Sequence, residues 1–156
     1  MKKLIFGLLL FALQGCAGMS PYMSVDTQNL IKSKTGDISQ LREKQTALVK
    51  AGNTPVGVAN MSVKARVVND EIAKICTNTA LITHPLDQSY CRSYYDLNNN
   101  DIASMDLASA QYYASSGDKV AAKSSFRSII LSYPGKRFEQ LRKAAEFGLE
   151  DLKEAP

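Results

Sequence analysis

From residue 37 onward, apolar residues recur every three or four positions, the period of a helix with one buried face. Asp37 is placed to cap a first helix whose apolar side is Ile38, Leu41 and Leu48, with Gly52 as its stop. Pro55 opens a second, in which Val58, Met61, Ala65, Val68, Ile72 and Ile75 alternate at steps of 3 and 4. Such a stripe reads as core rather than as a ligand surface. Three more helices are expected at about 101–116, 118–132 and 137–153. Asn100 or Asp101 caps the first, Gly117-Asp118 turns into the second, and Pro134-Gly135 separates the third. No segment alternates with the two-residue period of a strand. The pattern predicts an all-α fold of about five helices, arranged as helical hairpins in a single domain over 37–156.

Two stretches interrupt the period. Residues 17–36 are rich in Ser, Thr, Gly and Asn, and read as a flexible tether with a reach of about 25 Å. Residues 77–99 hold many turn formers: Thr77, Asn78, Thr79, His84-Pro85, Asp87 and Asn98 to Asn100. A long irregular segment of this kind is a candidate contact surface. Its Tyr90, Tyr94 and Tyr95 are candidate interface anchors; the alternative is that they pack the loop onto the helices.

The first residues differ in kind. Lys2 and Lys3 precede a short apolar run from Leu4 to Leu13, too short to span a bilayer, followed by the small Gly15. This is the layout of an export signal over residues 1–15. The tetrad Leu13-Gln14-Gly15-Cys16 resembles the lipobox of bacterial lipoproteins. The resemblance implies cleavage before Cys16, lipid on its sulfur and amine, and residues 16–36 as the acylated N-terminus and tether. Ala17, rather than Asp, implies sorting to the outer membrane by the enteric-type rule, with the domain facing the periplasm.

Export changes the reading of charge and cysteines. Without Lys2 and Lys3, 17 of the 19 basic residues remain against 15 acidic ones, and no basic stripe suggests nucleic acid. With Cys16 assigned to lipid, Cys76 and Cys91 are left as an even pair in an oxidising compartment, which reads as a disulfide rather than two buried thiols.

Little in the chain suggests catalysis, a metal or a cofactor. His84 is the only histidine, and neither a Gly-x-Ser-x-Gly elbow nor a glycine-rich phosphate loop occurs. Asp96-x-Asn98-x-Asn100 supplies the first oxygens of a calcium loop. The pattern then fails at Asp101 and Leu107, where glycine and glutamate are needed.

Residues 106–134 resemble a tetratricopeptide repeat. Ala110 and Tyr113, then Ala122, Phe126 and Pro134, occupy its small, aromatic and terminating slots, with Gly117-Asp118 at the turn. Asp106 stands where tryptophan is usual and Ser109 where leucine is usual, so Met105 or Leu107 takes over that packing. A 34-residue shift places Ala144 and Phe147 in the corresponding slots of the last helix. The resemblance implies close contact at Ala110 and Ala122, and a protein-binding role. One and a half repeats do not by themselves form a groove. These readings predict a non-catalytic, lipid-anchored scaffold or accessory subunit of an envelope assembly of barrel-assembly, pilus or secretion type. The alternatives are a small envelope hydrolase using Asp87 or Asp96, and an inhibitor or immunity-type lipoprotein.

Overall fold

A computed structural model of the protein describes residues 23–154. These residues form five α-helices: α1 Val25–Lys50, α2 Pro55–Thr77, α3 Pro85–Ser115, α4 Lys119–Ser132 and α5 Glu139–Glu154. A 3-10 turn, Lys136–Phe138, precedes α5, and no strand occurs among the described residues. The expected signal over 1–15 and the lipidation residue Cys16 lie outside them.

The helix ends follow local chemistry. Ser24, Thr54 and Asp118 side chains accept backbone N–H groups of Thr27, Gly57 and Ala121. His84 does the same through Nδ1 for Leu86, at 3.2 Å. Pro55 and Pro85 take the first turns of α2 and α3, where a missing N–H costs nothing. Gly52 (φ 65°) and Gly117 (φ 85°) hold the left-handed conformation that lets the chain leave α1 and α3.

Two boundaries differ from the sequence reading. α1 begins at Val25, so residues 25–36 are helix rather than tether, and Asp37 is an exposed mid-helix residue rather than a cap. Its buried face is Thr27, Ile31, Ile38 and Gln45, a stripe half made of polar residues. Gly36, which disfavours a helix by about 1 kcal/mol, is outweighed by burial on either side. Likewise α3 starts at Pro85 and absorbs most of the expected 77–99 loop, leaving only 78–84 irregular. Its inner face, Asp87, Cys91, Asn98, Ile102 and Met105, keeps helical spacing with polar members. Asn98, read as a turn former, is fully buried.

Side-chain pairs between helices fix their directions. Lys34–Glu71 and Gln45–Val58 run α1 antiparallel to α2. Cys76–Cys91, Asn69–Asn99 and Arg66–Asp106 run α2 antiparallel to α3. Thr35–Asn98, Arg42–Asp101 and Gln45–Met105 set α1 parallel to α3. The buried Gln45 amide joins three helices, donating to Val58 O at 3.2 Å, Met105 O at 3.0 Å and Ser109 Oγ at 2.9 Å.

Two apolar clusters result. Ile31, Ile38, Met61, Ala65, Ile72, Ile102 and Met105 form the first. Ala103, Ala110, Ala122, Phe126, Ile129, Phe138, Ala145 and Leu152 form the second. α3, about 46 Å long at 1.5 Å per residue, contributes to both. No helix among the described residues is long and apolar enough to cross a membrane.

The last helix corrects the repeat reading in detail. Ala110 and Ala122 are fully buried and Phe126 nearly so, as expected. But Phe147 is 64% exposed, and Ala144 is only half-buried. Ala145 is buried instead, and Gly148 faces Phe126 so closely that a Cβ there would come within 2.8 Å of three ring atoms. The 3-10 turn, anchored by the buried Phe138, sets the entry to α5 one residue out of register with the 34-residue shift. One residue is about 100° of helix rotation, enough to turn Phe147 to solvent.

Candidate functional site: a serine-lined cleft

α2 and α4 flank the C-terminal half of α3 and leave a cleft of about 140 Å³ between them. Arg66 comes from α2 and Asp106 from α3, with Ser125, Ser128 and Ser132 along one wall of α4 and Tyr133 just beyond it. Asp106 meets two partners there through one carboxylate oxygen. Arg66 pairs with its Oδ2, and the Tyr133 hydroxyl donates to the same oxygen at 2.7 Å. The Arg66 guanidinium also lies 6.0 Å from the centre of the Tyr133 ring. Burial pushes the Arg66 pKa down, but Asp106 and Tyr133 outweigh it and leave it raised. Burial, assisted by the bond to Asp106, raises the Tyr133 phenol. Arg142 fixes the chain behind the cleft, donating to Tyr133 O at 2.6 Å and Gly135 O at 2.8 Å.

Around this cleft the helices expose apolar residues. Val56, Val63 and Val67 form a stripe on α2, each at least 55% exposed. On α4, Val120 and Leu131 are 82% and 79% exposed and border a second, open hollow with Lys123 and Arg127. The cleft and its rim thus combine a paired acid and base, serine hydroxyls and exposed aliphatic side chains.

The residues singled out from sequence are distributed otherwise. Cys76 and Cys91 lie at disulfide distance, with Cα atoms 5.6 Å apart. The Tyr90 and Tyr94 rings meet in a tilted contact, centroids 4.8 Å apart, and pack against the first cluster. Burial, with Tyr94 adding to it, pushes the Tyr90 phenol up to about 12. Only Tyr95 is exposed, beside a shallow hollow floored by Cys76 and Cys91. Asp87 is buried and accepts the Met23 N–H at 2.7 Å; Asp96 pairs with Arg137 at 2.5 Å. Nine residues apart on one helix, these carboxylates are separated by about 13 Å, beyond the spacing at which two carboxylates share a bond to be cleaved. Asp96, Asn98 and Asn100 fall within about one turn of α3 rather than around a loop. Tyr113 is half-buried in the second cluster and Pro134 is exposed after α4.

Arg66 and Tyr133 were not singled out from sequence. Arg66 sits on the shoulder of the α2 stripe, next to Ala65, and Tyr133 precedes a helix-ending proline. The one available signal was Asp106, an acid in a position where the repeat pattern asks for an apolar aromatic.

No family model matches the chain, and comparison with curated proteins and with solved structures gives no match.

Proposed function

We propose that the protein is a lipid-anchored, periplasm-facing interaction subunit of a bacterial outer-membrane assembly, and that its partner docks on the α2–α4 cleft. The observation that carries the docking surface is the Arg66–Asp106–Tyr133 cluster, its charges paired with one another, set among serines and rimmed by exposed valines and leucine. A partner segment that lays aliphatic side chains on Val63, Val67 and Leu131 gains apolar burial, and its backbone finds hydroxyls rather than an unpaired charge. The lipobox-like Leu13-Gln14-Gly15-Cys16 and the Cys76–Cys91 pair support export to an oxidising compartment. The tetratricopeptide-like hairpin of α3 and α4 supports a binding role.

The docking test places a photo-crosslinking residue at Val67 or Ser128, on the rim and wall of the cleft, in cells and identifies what it captures. A Val63→Asp/Leu131→Asp double variant is expected to lose the adduct and to keep its thermal midpoint, since both positions are exposed. Capture unchanged by the double variant would reject the cleft as the docking surface. For the anchor, Cys16→Ser is expected to leave an unlipidated precursor or a soluble periplasmic form. Recovery of the wild type from the inner membrane would refute the sorting expected from Ala17.

A further inference from the structure

One end of the bundle brings together the start of α1, the end of α2, the 78–84 loop and the start of α3. The chain enters it at Met23, whose N–H donates to Asp87 Oδ1 at 2.7 Å and whose carbonyl accepts from Gln28 Nε2 at 3.0 Å. The path from Cys16 to Met23 is only seven residues, at most about 25 Å when fully extended. This end also exposes Val25, Leu81 and Leu86, the last two 43% and 56% accessible. The loop at the other end of the α1–α2 hairpin, 51–54, is Ala-Gly-Asn-Thr and has no large apolar residue. Set back from the three aliphatic side chains are exposed Lys74, in the last turn of α2, and exposed Arg92 on α3. Asp26 is the exposed acid of the α1 start.

We infer that this end is a bilayer-docking face. Val25, Leu81 and Leu86 enter the boundary between headgroups and acyl chains, while Lys74 and Arg92 extend toward lipid phosphates. The inference rests on Cys16 as the lipid-bearing residue. Three aliphatic side chains are too few to hold a protein of this size on a membrane, but a short anchor makes their contact intramolecular, at high effective concentration. The same argument fixes orientation. With Leu86 at the bilayer, α3 leads away from it, and the Arg66–Asp106–Tyr133 cluster lies about 30 Å further along that helix.

The chain has no tryptophan, so Leu86→Trp supplies a single reporter of depth and Val120→Trp a control at the far end of α3. The chain from Cys16 onward contains both apolar clusters whole. Because Cys76 and Cys91 pair with each other, Cys16 can be coupled selectively to a maleimide phospholipid in phosphatidylethanolamine/phosphatidylglycerol vesicles carrying brominated acyl chains. Indole fluorescence at position 86 is expected to fall at least about twofold on coupling, with no fall at position 120 and none for uncoupled protein. Val25→Asp with Leu81→Asp should abolish the quenching. No quenching at 86, equal quenching at both positions, or quenching that appears only in densely coated vesicles (contact with a second copy) would overturn the docking face. The anchor is tested separately, by the mass of the N-terminal peptide of protein recovered from cell membranes. An unacylated Cys16 there sinks the lipoprotein reading, whatever the vesicles show.

Discussion

At the scale of single residues, polar side chains hold much of this interior together. Gln45, Asn69, Asp87 and Asn98 are all buried, and each makes at least one hydrogen bond to a different segment. Directional groups of this kind set helix register, because sliding a helix would strand them. Tyr133 adds a pH signature. Its phenol and that of Tyr90 are held protonated beyond the pH at which an unfolded chain releases them. The stability tied to this is whole below about pH 10 and is lost as pH rises past it, because the unfolded state then gives up protons the fold retains. Urea midpoints measured from pH 9 upward should fall more gently for Tyr133→Phe than for the wild type. An identical alkaline slope would mean that the fold does not hold the Tyr133 proton.

At the scale of elements, the register of α5 is the sharpest claim. Gly148 faces the Phe126 ring and Phe147 faces solvent. Gly148→Ala should therefore destabilise by about 1–3 kcal/mol through overpacking, although alanine is the better helix former. Phe147→Ala should change stability by less than about 0.5 kcal/mol. Chemical denaturation of the two variants checks this, and the opposite ranking would restore the register implied by the 34-residue shift. The contrast explains what was legible beforehand. α2 and α4 could be read because their stripes are apolar and their ends carry Pro55, Asp118 and Pro134. The starts of α1 and α3 could not, because polar residues line their buried faces: Thr27 on α1, and on α3 Asp87 and Asn98, whose partners are distant in sequence, which a count of apolar residues does not register. The Arg66–Asp106–Tyr133 cluster was hidden for a related reason. It joins three helices, and no local spacing marks residues 40 and 27 positions apart.

At the scale of the whole molecule, the link between Cys76 and Cys91 ties the end of α2 to α3 across a separation of 15 residues. Cys76→Ser with Cys91→Ser should lower unfolding stability by roughly 3 kcal/mol in the chain-entropy account. Denaturation with and without reductant measures it, and a wild type indifferent to reductant would show that no covalent link had formed. The 31-residue α3 has a further consequence. Within a single turn, Ile102 and Met105 face the first cluster and Ala103 faces the second. Neither half can melt alone without baring a side of the helix that the other half still needs. The backbone amides of 102–105 should therefore be the last to exchange with deuterium, opening only when the entire chain does. A calorimetric trace should show one cooperative peak rather than two.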